Sequence, residues 1–213
     1  MIDVRPWRYV GLEEAAVIRL ATAADAAAVA EVYAPVVSES AISFELVPPT
    51  AGEMAMRIAR ALAHAPWLVS TEGGTVLGFA YASPHSERAA YQWSVNVSVY
   101  VDAAARRRGV GRSLYGSLFS LLLLQGFYTA HAGTTLPNPA SVGLHESLGF
   151  HPVGVYRSVG YKRGAWHDVG WWQLPLKDRT GEPPPPRPPS AVRTHPEWEA
   201  ALREGEAGLG PTR

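Results

Sequence analysis

The clearest pattern along the 213-residue chain is the alternation of apolar and polar residues in Ser94–Val101, SVNVSVYV. Its four valines share one face of a predicted strand, and the polar residues share the other face with Tyr100, because successive strand side chains point to opposite sides. Further along, leucines at positions 114, 118, 121 and 122 recur at helical spacing. They predict a buried helix over Val110–Gln125 that ends at Gly126.

The other segments switch repeatedly between short strand-like and longer helix-like stretches. This switching predicts a mixed α/β layer architecture in one domain. Glu72-Gly73-Gly74-Thr75 predicts a hairpin turn, because glycines readily supply the positive φ angles that such turns need. Strands are predicted over residues 17–20, 67–71, 76–82, 94–101, 127–133, 153–161 and 168–174, and helices over residues 25–37, 51–63, 110–125 and 139–148.

Composition divides the chain into three parts. Residues 1–16 are predicted to be an N-terminal extension, and residues 17–176 the folded domain. Residues 177–213 contain PPPPRPP and few large apolar groups, so we expect a mostly disordered, Pro-rich tail with a polyproline segment. The most apolar segment, Leu114–Leu124, is too short to span a bilayer, which needs about 20 apolar residues.

Charge and residue usage exclude several classes of function. Nineteen basic and nineteen acidic residues balance, so no global field favours nucleic acid or an anionic membrane as partner. The chain has no cysteine, which excludes disulfides, thiolate metal sites and a cysteine nucleophile and suits a reducing cytosol. The histidines and carboxylates show no metal-ligand spacing. We therefore predict a cytoplasmic protein with no metal, no nucleic acid and no membrane as partner.

The turn between the predicted strand and helix, RRRGVG at Arg106–Gly111, has the chemistry of a phosphate site. Its two glycines let several backbone N–H groups point at one anion, and the helix N-terminus adds partial positive charge. The turn is neither a Walker loop nor a dinucleotide fingerprint, since Gly109 is not followed by Gly-Lys-Ser/Thr and Leu114 replaces the third glycine. Taken alone, a helix-capping glycine turn beside solvated arginines explains the pattern equally well.

This turn, followed after about 25 residues by LPNPASVGLHESLGF, resembles the GNAT acetyltransferase superfamily. The similarity is closer still to the phosphinothricin and methionine sulfoximine acetyltransferase group. The shared marks are YAPVVSESAISFE, the Arg88-Ala-Ala-Tyr91 segment, YVDAAARRRGVGRSLY and GYKRGAWHDVGWWQ, and the resemblance covers residues 18–176. It implies a mixed, mostly antiparallel sheet whose fourth and fifth strands splay apart around the pantetheine arm of acetyl coenzyme A.

The resemblance also implies which residues hold that coenzyme. Backbone groups of the fourth strand would bind the pantetheine arm as an added strand does, and the pyrophosphate would lie on the glycine turn. The implied coenzyme-binding residues are Val99, Tyr100, Val101, Arg106, Arg107, Arg108, Gly109, Val110, Gly111, Arg112, Ser113, Asn138 and Ser141. Asn138 stands between two prolines, so a turn and helix cap is an equally good interpretation of this residue.

Transfer of an acetyl group to an amine needs a neutral amine, a polarised carbonyl and a proton for the leaving thiolate. In the resembling group a glutamate on the fourth strand is the usual base, but here that position is Asn96, whose amide could orient a water or the substrate amine but could not accept its proton. His145 matches a histidine of the group and is predicted to act as base or acid. A half-buried histidine bound to backbone is the alternative. Five other histidines match no motif: His64, His85, His131, His151 and His167.

Arg88 and Tyr91 match positions that bind the acidic end of an amino-acid-like substrate in the resembling group, and Phe44 matches a pocket-lining position. Arginine suits a carboxylate or phosphinate because its guanidinium donates two parallel hydrogen bonds. A surface ion pair with Glu87 or Glu45 is an equally good interpretation of Arg88.

The sequence therefore predicts an N-acetyltransferase that moves the acetyl group of acetyl coenzyme A to a small amino-acid-like amine, of the phosphinothricin or methionine sulfoximine type, by direct attack. Two alternatives stay open. One is an enzyme for a polyamine, an aminoglycoside or a protein N-terminus. The other is a catalytically silent module that binds acyl coenzyme A. The resemblance also implies a homodimer, and we expect Trp166, Trp171 and Trp172 to lie in the core or the dimer interface.

Overall fold

The computed structural model describes residues 15–209 of the chain. Within them lie seven strands: β1 (Val17–Leu20), β2 (Trp67–Glu72), β3 (Thr75–Pro84), β4 (Ser94–Val101), β5 (Thr129–Leu136), β6 (His151–Lys162) and β7 (Ala165–Pro175). The α helices are α1 (Ala26–Glu39), α2 (Ala51–Leu62), α3 (Val110–Gln125), α4 (Pro139–Ser147), α5 (Pro189–Val192) and α6 (Trp198–Arg203).

The seven strands form one sheet in the order β1-β2-β3-β4-β5-β7-β6. Neighbouring strands are antiparallel except β4 and β5, which run parallel. The mixed, mostly antiparallel sheet predicted for the chain is confirmed. Gly73 and Gly74 turn β2 into β3 with φ angles of 54° and 79°, as their sequence predicts.

Two apolar cores lie on opposite faces of the sheet. On one face, α3 packs Leu114 and Leu118 against Val95 and Val97 of β4. On the other face, the cluster formed with α1 and α2 includes Phe79 of β3, and Tyr100 of β4 packs against that cluster. The predicted alternation of β4 is confirmed, and it places Asn96, Ser98 and Tyr100 on the α1–α2 side.

The start of β5 differs from the predicted strand over residues 127–133. Gly126 has a φ of 97° and ends α3, and the backbone N–H of Phe127 still bonds the carbonyl oxygen of Leu122 at 3.0 Å. These two residues therefore belong to the helix end, in the manner of a Schellman motif. The strand begins at Thr129 and extends to Leu136, because its last residues pair with β7 as far as Asp168.

Up to residue 209, the C-terminal segment contains two short helices that pack on α3, whereas composition predicts a mostly disordered tail. Trp198 on α6 is 2% exposed and belongs to the same core as α3. The backbone of Arg187 exchanges two hydrogen bonds with Gln125 at the end of α3, at 2.8 and 2.7 Å. Composition misses this contact because a few apolar residues that fit an exposed helix face are enough to fix a short segment.

The segment Glu204–Gly208 lies against the first turns of α3. Gly205 comes so close to Ser113 that an added Cβ would overlap its carbonyl oxygen. The predicted N-terminal extension, residues 1–16, lies outside the described residues except for its last two. None of the helices within residues 15–209 is long and apolar enough to cross a membrane.

Candidate active site

The sheet opens between β4 and β5. The two strands pair only over three positions, from Ser94 opposite Thr129 to Asn96 opposite His131, whereas β4 is paired with β3 from Val95 to Val101. Beyond Asn96 the β5-facing edge of β4 has no strand partner among the described residues. The resulting cleft is lined by Ile42, Val97, Ser98, Val99, Tyr100, Tyr115, Gly133, Thr134, Thr135, Asn138, Ser141 and His145.

The glycine turn stands at one end of this cleft, at the N-terminus of α3. Gly109 is the N-cap residue with a φ of 86°, a left-handed conformation that glycine adopts readily. A Cβ at Gly111 would lie 3.4 Å from a methyl carbon of Leu144 and 3.6 Å from one of Val101. The first N–H groups of a helix have no intrahelical partner, so they are available to an anion at this end of the cleft.

The arginines of the turn have different surroundings. Arg108 bonds Glu72 of β2 at 2.7 Å, and Arg112 donates to the Ser147 hydroxyl at 2.6 Å. These two side chains therefore join the turn to β2 and to α4, rather than standing free for a phosphate as the sequence suggested. Arg106 and Arg107 are exposed on the turn itself.

Ser113 does not face the cleft. It is 2% exposed, and its hydroxyl oxygen lies 3.1 Å from the position that a Cβ of Gly208 would occupy. The helix turns this side chain toward the C-terminal segment, because residues three or four apart share a face and Ser113 shares its face with Ser117, which bonds Gly205. The Ser113 side chain therefore does not line the cleft, and the predicted role of this residue in coenzyme binding stays a prediction.

Asn138 and Ser141 lie at the start of α4 and line the cleft. The Asn138 side-chain oxygen accepts a hydrogen bond from the backbone N–H of Ser141 at 3.1 Å, so this residue caps the helix. The Ser141 hydroxyl lies 3.2 Å from that of Thr134 on β5. The capping interpretation of Asn138 is confirmed, and it leaves the amide N–H groups of this side chain available to a ligand.

His145 is 4% exposed and lies between two hydrogen-bonding partners. Its Nδ1 is 2.8 Å from the Ser141 carbonyl oxygen, which only accepts, so Nδ1 carries the proton. Its Nε2 then accepts from the Tyr115 hydroxyl at 3.1 Å. Burial lowers the pKa of His145 and raises that of Tyr115, so both groups are neutral near neutral pH.

Two further histidines, His85 and His131, lie where β4 and β5 begin to separate. The Asn96 side-chain oxygen lies 2.9 Å from Nδ1 of His85, the residue that follows β3. The His85 ring stacks on His131 with 4.2 Å between ring centroids. Burial, with further contributions from His85 and Arg179, lowers the pKa of His131 to about 4. The sequence reading attached no function to either histidine, because their proximity depends on the pairing of β3, β4 and β5.

The predicted acceptor residues fall in two places. Tyr91 has its ring 5.7 Å from His85, and with Arg88 it lines a cavity of about 570 Å³. Phe44 instead packs on the backbone of Gly160 in β6, where a Cβ would overlap its ring. The structure brings Arg88 and Tyr91 together but does not place Phe44 in that cavity.

A further apolar cavity of about 320 Å³ lies on the α1–α2 side of the sheet. Its walls include Tyr33, Trp67, Phe79 and Tyr81, and it reaches Pro84 at the end of β3, one residue before His85. The cavity therefore leads along the face of the sheet toward the point where the cleft opens.

Lys162 is a positioning residue that sequence reasoning missed. This buried side chain donates to the carbonyl oxygens of Val37, Ser43 and Glu45 at 2.6, 2.7 and 2.7 Å. It holds the loop between α1 and α2, whose Ile42 lines the cleft. A sequence signal exists only in the GYKRG hairpin that presents it, because its three partners are backbone groups that any residue could supply.

The three tryptophans expected in the core or the dimer interface have different surroundings in the structure. Trp172 is buried, as expected for a core residue, whereas Trp166 is 65% exposed beside Tyr161. Trp171 packs over Gly133 of β5, within 3.2 Å of the place a Cβ would take. Among the residues that the structure describes, no group of three His, Cys, Asp or Glu could hold a metal ion.

Two parallel strands that splay apart beside a glycine-rich helix N-terminus form the site of an acetyltransferase that uses acetyl coenzyme A. The model of the acetyltransferase (GNAT) domain family matches residues 18–171. The phosphinothricin N-acetyltransferase of Streptomyces viridochromogenes is 43% identical over 171 residues, 80% of this chain and 91% of that protein. The L-methionine sulfoximine/L-methionine sulfone acetyltransferase of Salmonella typhimurium is 36% identical over 162 residues, covering 76% and 95%.

Solved structures are similar too. A phosphinothricin acetyltransferase from Sinorhizobium meliloti in complex with acetyl coenzyme A superposes with a TM-score of 0.76 at 34% identity, over 80% of this chain and 94% of that one. The protein yncA from Salmonella typhimurium with its cofactor acetyl coenzyme A gives 0.74 at 34% identity, over 80% and 99%. The chain belongs to the GNAT acetyltransferase family and is an N-acetyltransferase.

Acetyl coenzyme A is the acyl donor, and the described residues fit it. The unpaired edge of β4 offers backbone groups to an extended amide chain, and the start of α3 offers N–H groups to a phosphate. When bound, the coenzyme supplies an acetyl thioester. The chain's part is to hold it, to orient the acceptor amine and to move protons at the cleft.

Proposed function

We propose that the acceptor is a small amino-acid-like amine, of the phosphinothricin or methionine sulfoximine/sulfone type, and that it is acetylated by direct attack. The observation that carries this proposal is that Arg88 and Tyr91 line one cavity and that the Tyr91 ring lies 5.7 Å from His85, the neighbour of Asn96 at the apex of the cleft. A guanidinium at that place suits a carboxylate or phosphinate, which would put the amine of the same small molecule near Asn96. The names of the relatives support the same class of acceptor.

On the donor side, the start of α3 would hold the pyrophosphate and the edge of β4 the pantetheine arm. Gly109, Val110 and Gly111 would contribute their backbone, and Arg106 and Arg107 charge from the exposed turn. The edge formed by Val99, Tyr100 and Val101, with Asn138 and Ser141 across the cleft, would satisfy the amides of the arm. Arg108 and Arg112 would act through the shape of the turn, which they brace.

His145 is proposed to serve the leaving thiol, through Tyr115. Both lie on the wall of the cleft, and the Tyr115 hydroxyl already donates to Nε2 of His145. A hydroxyl in that place can turn its one proton from Nε2 of His145 to the thiolate, and a proton from solvent then restores the hydroxyl. Both ring nitrogens of His145 are engaged, which argues against direct proton uptake from the amine.

The proposed function is tested by incubating the full chain with acetyl coenzyme A and a panel of amines while following free thiol release. The panel contains phosphinothricin, methionine sulfoximine, methionine sulfone, common amino acids, a polyamine and an aminoglycoside. We expect the highest kcat/KM for the acidic amino acid analogues, and a drop of about tenfold to a hundredfold for them in Arg88→Gln, from loss of a charged hydrogen-bonded contact. Preference for a polyamine, or coenzyme binding without turnover on any amine, would sink the proposal.

We further propose a cytoplasmic homodimer whose catalytic domain is residues 17–176. The support for a dimer is an exposed apolar surface on β6 and β7, whose large side chains are 49–65% exposed: Val153, Tyr156, Val159, Tyr161 and Trp166. The lack of cysteine agrees with a reducing compartment. Sedimentation equilibrium should give a dimer that Trp166→Glu converts to monomer, and a monomeric wild-type chain at high concentration would contradict this.

A further inference from the structure

We propose that His85 is the base that accepts the proton of the acceptor's ammonium group, and that Asn96 positions its ring for this step. The inference rests on the proposed acetylation of an amine. It replaces the expectation that His145 acts as the base, because the function moves from the strand residue at position 96 to its hydrogen-bonded neighbour.

The hydrogen bonds fix which nitrogen of His85 carries the proton. Asn96 places its side-chain oxygen 2.9 Å from His85 Nδ1 and its amide nitrogen 3.5 Å from the Pro84 carbonyl oxygen. Exchanging the two atoms of the amide would set its oxygen against the Pro84 oxygen, and two acceptors repel. Nδ1 therefore donates to Asn96. Nε2 of the neutral ring keeps its lone pair, and no described residue bonds to it.

His85 and Asn96 lie at the apex of the cleft, where we place the reaction. Asn96 and His131 are the last paired residues before β4 and β5 separate, so His85 lies at the apex of the cleft. Asn96 is on the face of β4 that looks away from α3, and the apolar cavity beneath α2 reaches the residue before His85. A small amine entering from that side would reach the His85–Asn96 pair where the unpaired edge of β4 begins.

The neighbouring histidines are poorer candidates for the same step. His131 stacks on His85, and its lowered pKa of about 4 makes it a weak acceptor of an ammonium proton. His145 has both ring nitrogens in hydrogen bonds and is 4% exposed. His85 is half-buried, with one nitrogen held and one open, so it can take a proton from a ligand and return it to water.

The proton balance of the reaction is then complete. The acceptor ammonium gives one proton to Nε2 of His85, and the neutral amine attacks the thioester carbonyl carbon. A C–N bond forms and the C–S bond breaks, and the sulfur leaves with the electron pair. The second proton of the attacking nitrogen passes to water as the amide forms. In our proposal the sulfur takes one proton from the Tyr115 hydroxyl to give the free thiol, and water returns a proton to Tyr115. His85 returns its proton to solvent.

The test is a rescue experiment with the full chain. His85→Gln keeps a hydrogen-bonding side chain but removes the base, and we expect kcat/KM for the acceptor to fall by about 10² to 10⁴, the usual contribution of such a group. Adding Asn96→Glu to this variant puts a carboxylate base on the strand beside the vacated ring. We expect it to recover at least tenfold of the loss. His151→Gln, an exposed histidine on β6, is the matched control.

Binding of acetyl coenzyme A, measured by calorimetry, and the melting temperature should not change in His85→Gln. Equal kcat/KM in wild type and His85→Gln, or no recovery with Asn96→Glu while both variants remain folded, would overturn the role of His85. No turnover by the wild-type chain with any amine would instead contradict the proposed function.

The positioning role of Asn96 has its own readout. ¹⁵N–¹H spectra of the imidazoles should show the Nδ1–H tautomer for His85 in the wild type, and a mixture in Asn96→Ala. Asn96→Asp, whose carboxylate also accepts from Nδ1, should keep the tautomer. An Nε2–H tautomer in the wild-type chain would overturn the inference, whatever the turnover.

Discussion

Two histidines face the same reaction from opposite surroundings. His145 is buried in the wall of the cleft, where Ser141 and Tyr115 occupy both of its ring nitrogens. His85 is half-buried at the apex, where Asn96 holds one nitrogen and the other is open. Motif matching ranks His145 first. The hydrogen bonds give the two residues different roles: the buried imidazole with two partners can orient the Tyr115 hydroxyl, and the open one can accept a proton from the ligand.

The difference shows why the replacement of the usual glutamate by Asn96 need not silence the site. Asparagine cannot take up a proton, but its oxygen selects the tautomer of a neighbouring imidazole. The base is then a pair of residues drawn from β4 and from the end of β3. Substitution of His85 or Asn96 should affect only proton removal from the acceptor. Substitution of Tyr115 or His145 should affect protonation of the leaving thiol.

The largest effect outside the rescue experiment is expected for His145→Ala. Loss of the imidazole leaves the Tyr115 hydroxyl without its acceptor, and we expect kcat to fall by about 10², within the usual range for an acid–base group. Steady-state kinetics check this, with His145→Gln as a size-matched variant that can still accept from Tyr115. Unchanged kcat in both variants would remove His145 from the mechanism.

Tyr115→Phe should affect both the rate and the stability. Nε2 of His145 would be left buried without a partner, which costs about 1 to 3 kcal/mol of unfolding free energy. We expect kcat to fall by about 10², as in His145→Ala, because His145 acts through this hydroxyl, while the KM for the acceptor stays the same. Urea unfolding and kinetics measure both, and a change confined to the acceptor KM would contradict the assignment.

Asn96→Glu in the wild-type background should preserve or raise the rate. The carboxylate can accept from His85 Nδ1 and strengthen the base, or act as base itself, so we expect kcat/KM to stay within about threefold or to increase. Turnover over the acceptor panel measures it. A loss comparable to that of His85→Gln would show that the hydrogen bond to His85 is not what this position supplies.

The smallest expected effect is on the pH dependence of stability. The folded-state pKa values of His131 and His145 lie below the ordinary value, so the unfolded chain binds more protons as the pH falls. The unfolding free energy should therefore decrease as the pH falls below about 6.5. The contribution of His131 to this decrease should end near pH 4, where the folded chain also binds its proton. His131→Gln should flatten this dependence in urea titrations, and His151→Gln should leave it unchanged.

Much of the fold could be predicted because local and tertiary preferences agree. The bounds of β4 and α3 follow from valine alternation and leucine spacing, and Gly126 marks the helix end. The C-terminal segment could not be predicted, because the burial of Trp198 depends on a matching face of α3. Composition records how apolar a segment is, and not whether a surface elsewhere fits it.

The candidate site divides in the same way. The turn at Gly109 and the His145 helix stand in contiguous motifs, so the sequence alone locates them. His85, Lys162 and Tyr115 lie far along the chain from their partners, and only strand pairing or helix packing brings them together. A signal for His85 exists in the β3–β4 pairing, which sets Ser83 opposite Asn96, but using it requires the register.

The pH dependence of kcat/KM for the acceptor tests most directly whether His85, and not His145, accepts the proton of the acceptor. The titratable or charged groups around His85 are His131 and Tyr91, with Arg179 acting on His131. In wild type and His145→Gln, kcat/KM should rise with pH to a plateau below the pH at which the acceptor's own amine loses its proton. In His85→Gln it should keep rising until the acceptor's own amine loses its proton. The same plateau in His85→Gln, or its loss in His145→Gln, would contradict the account.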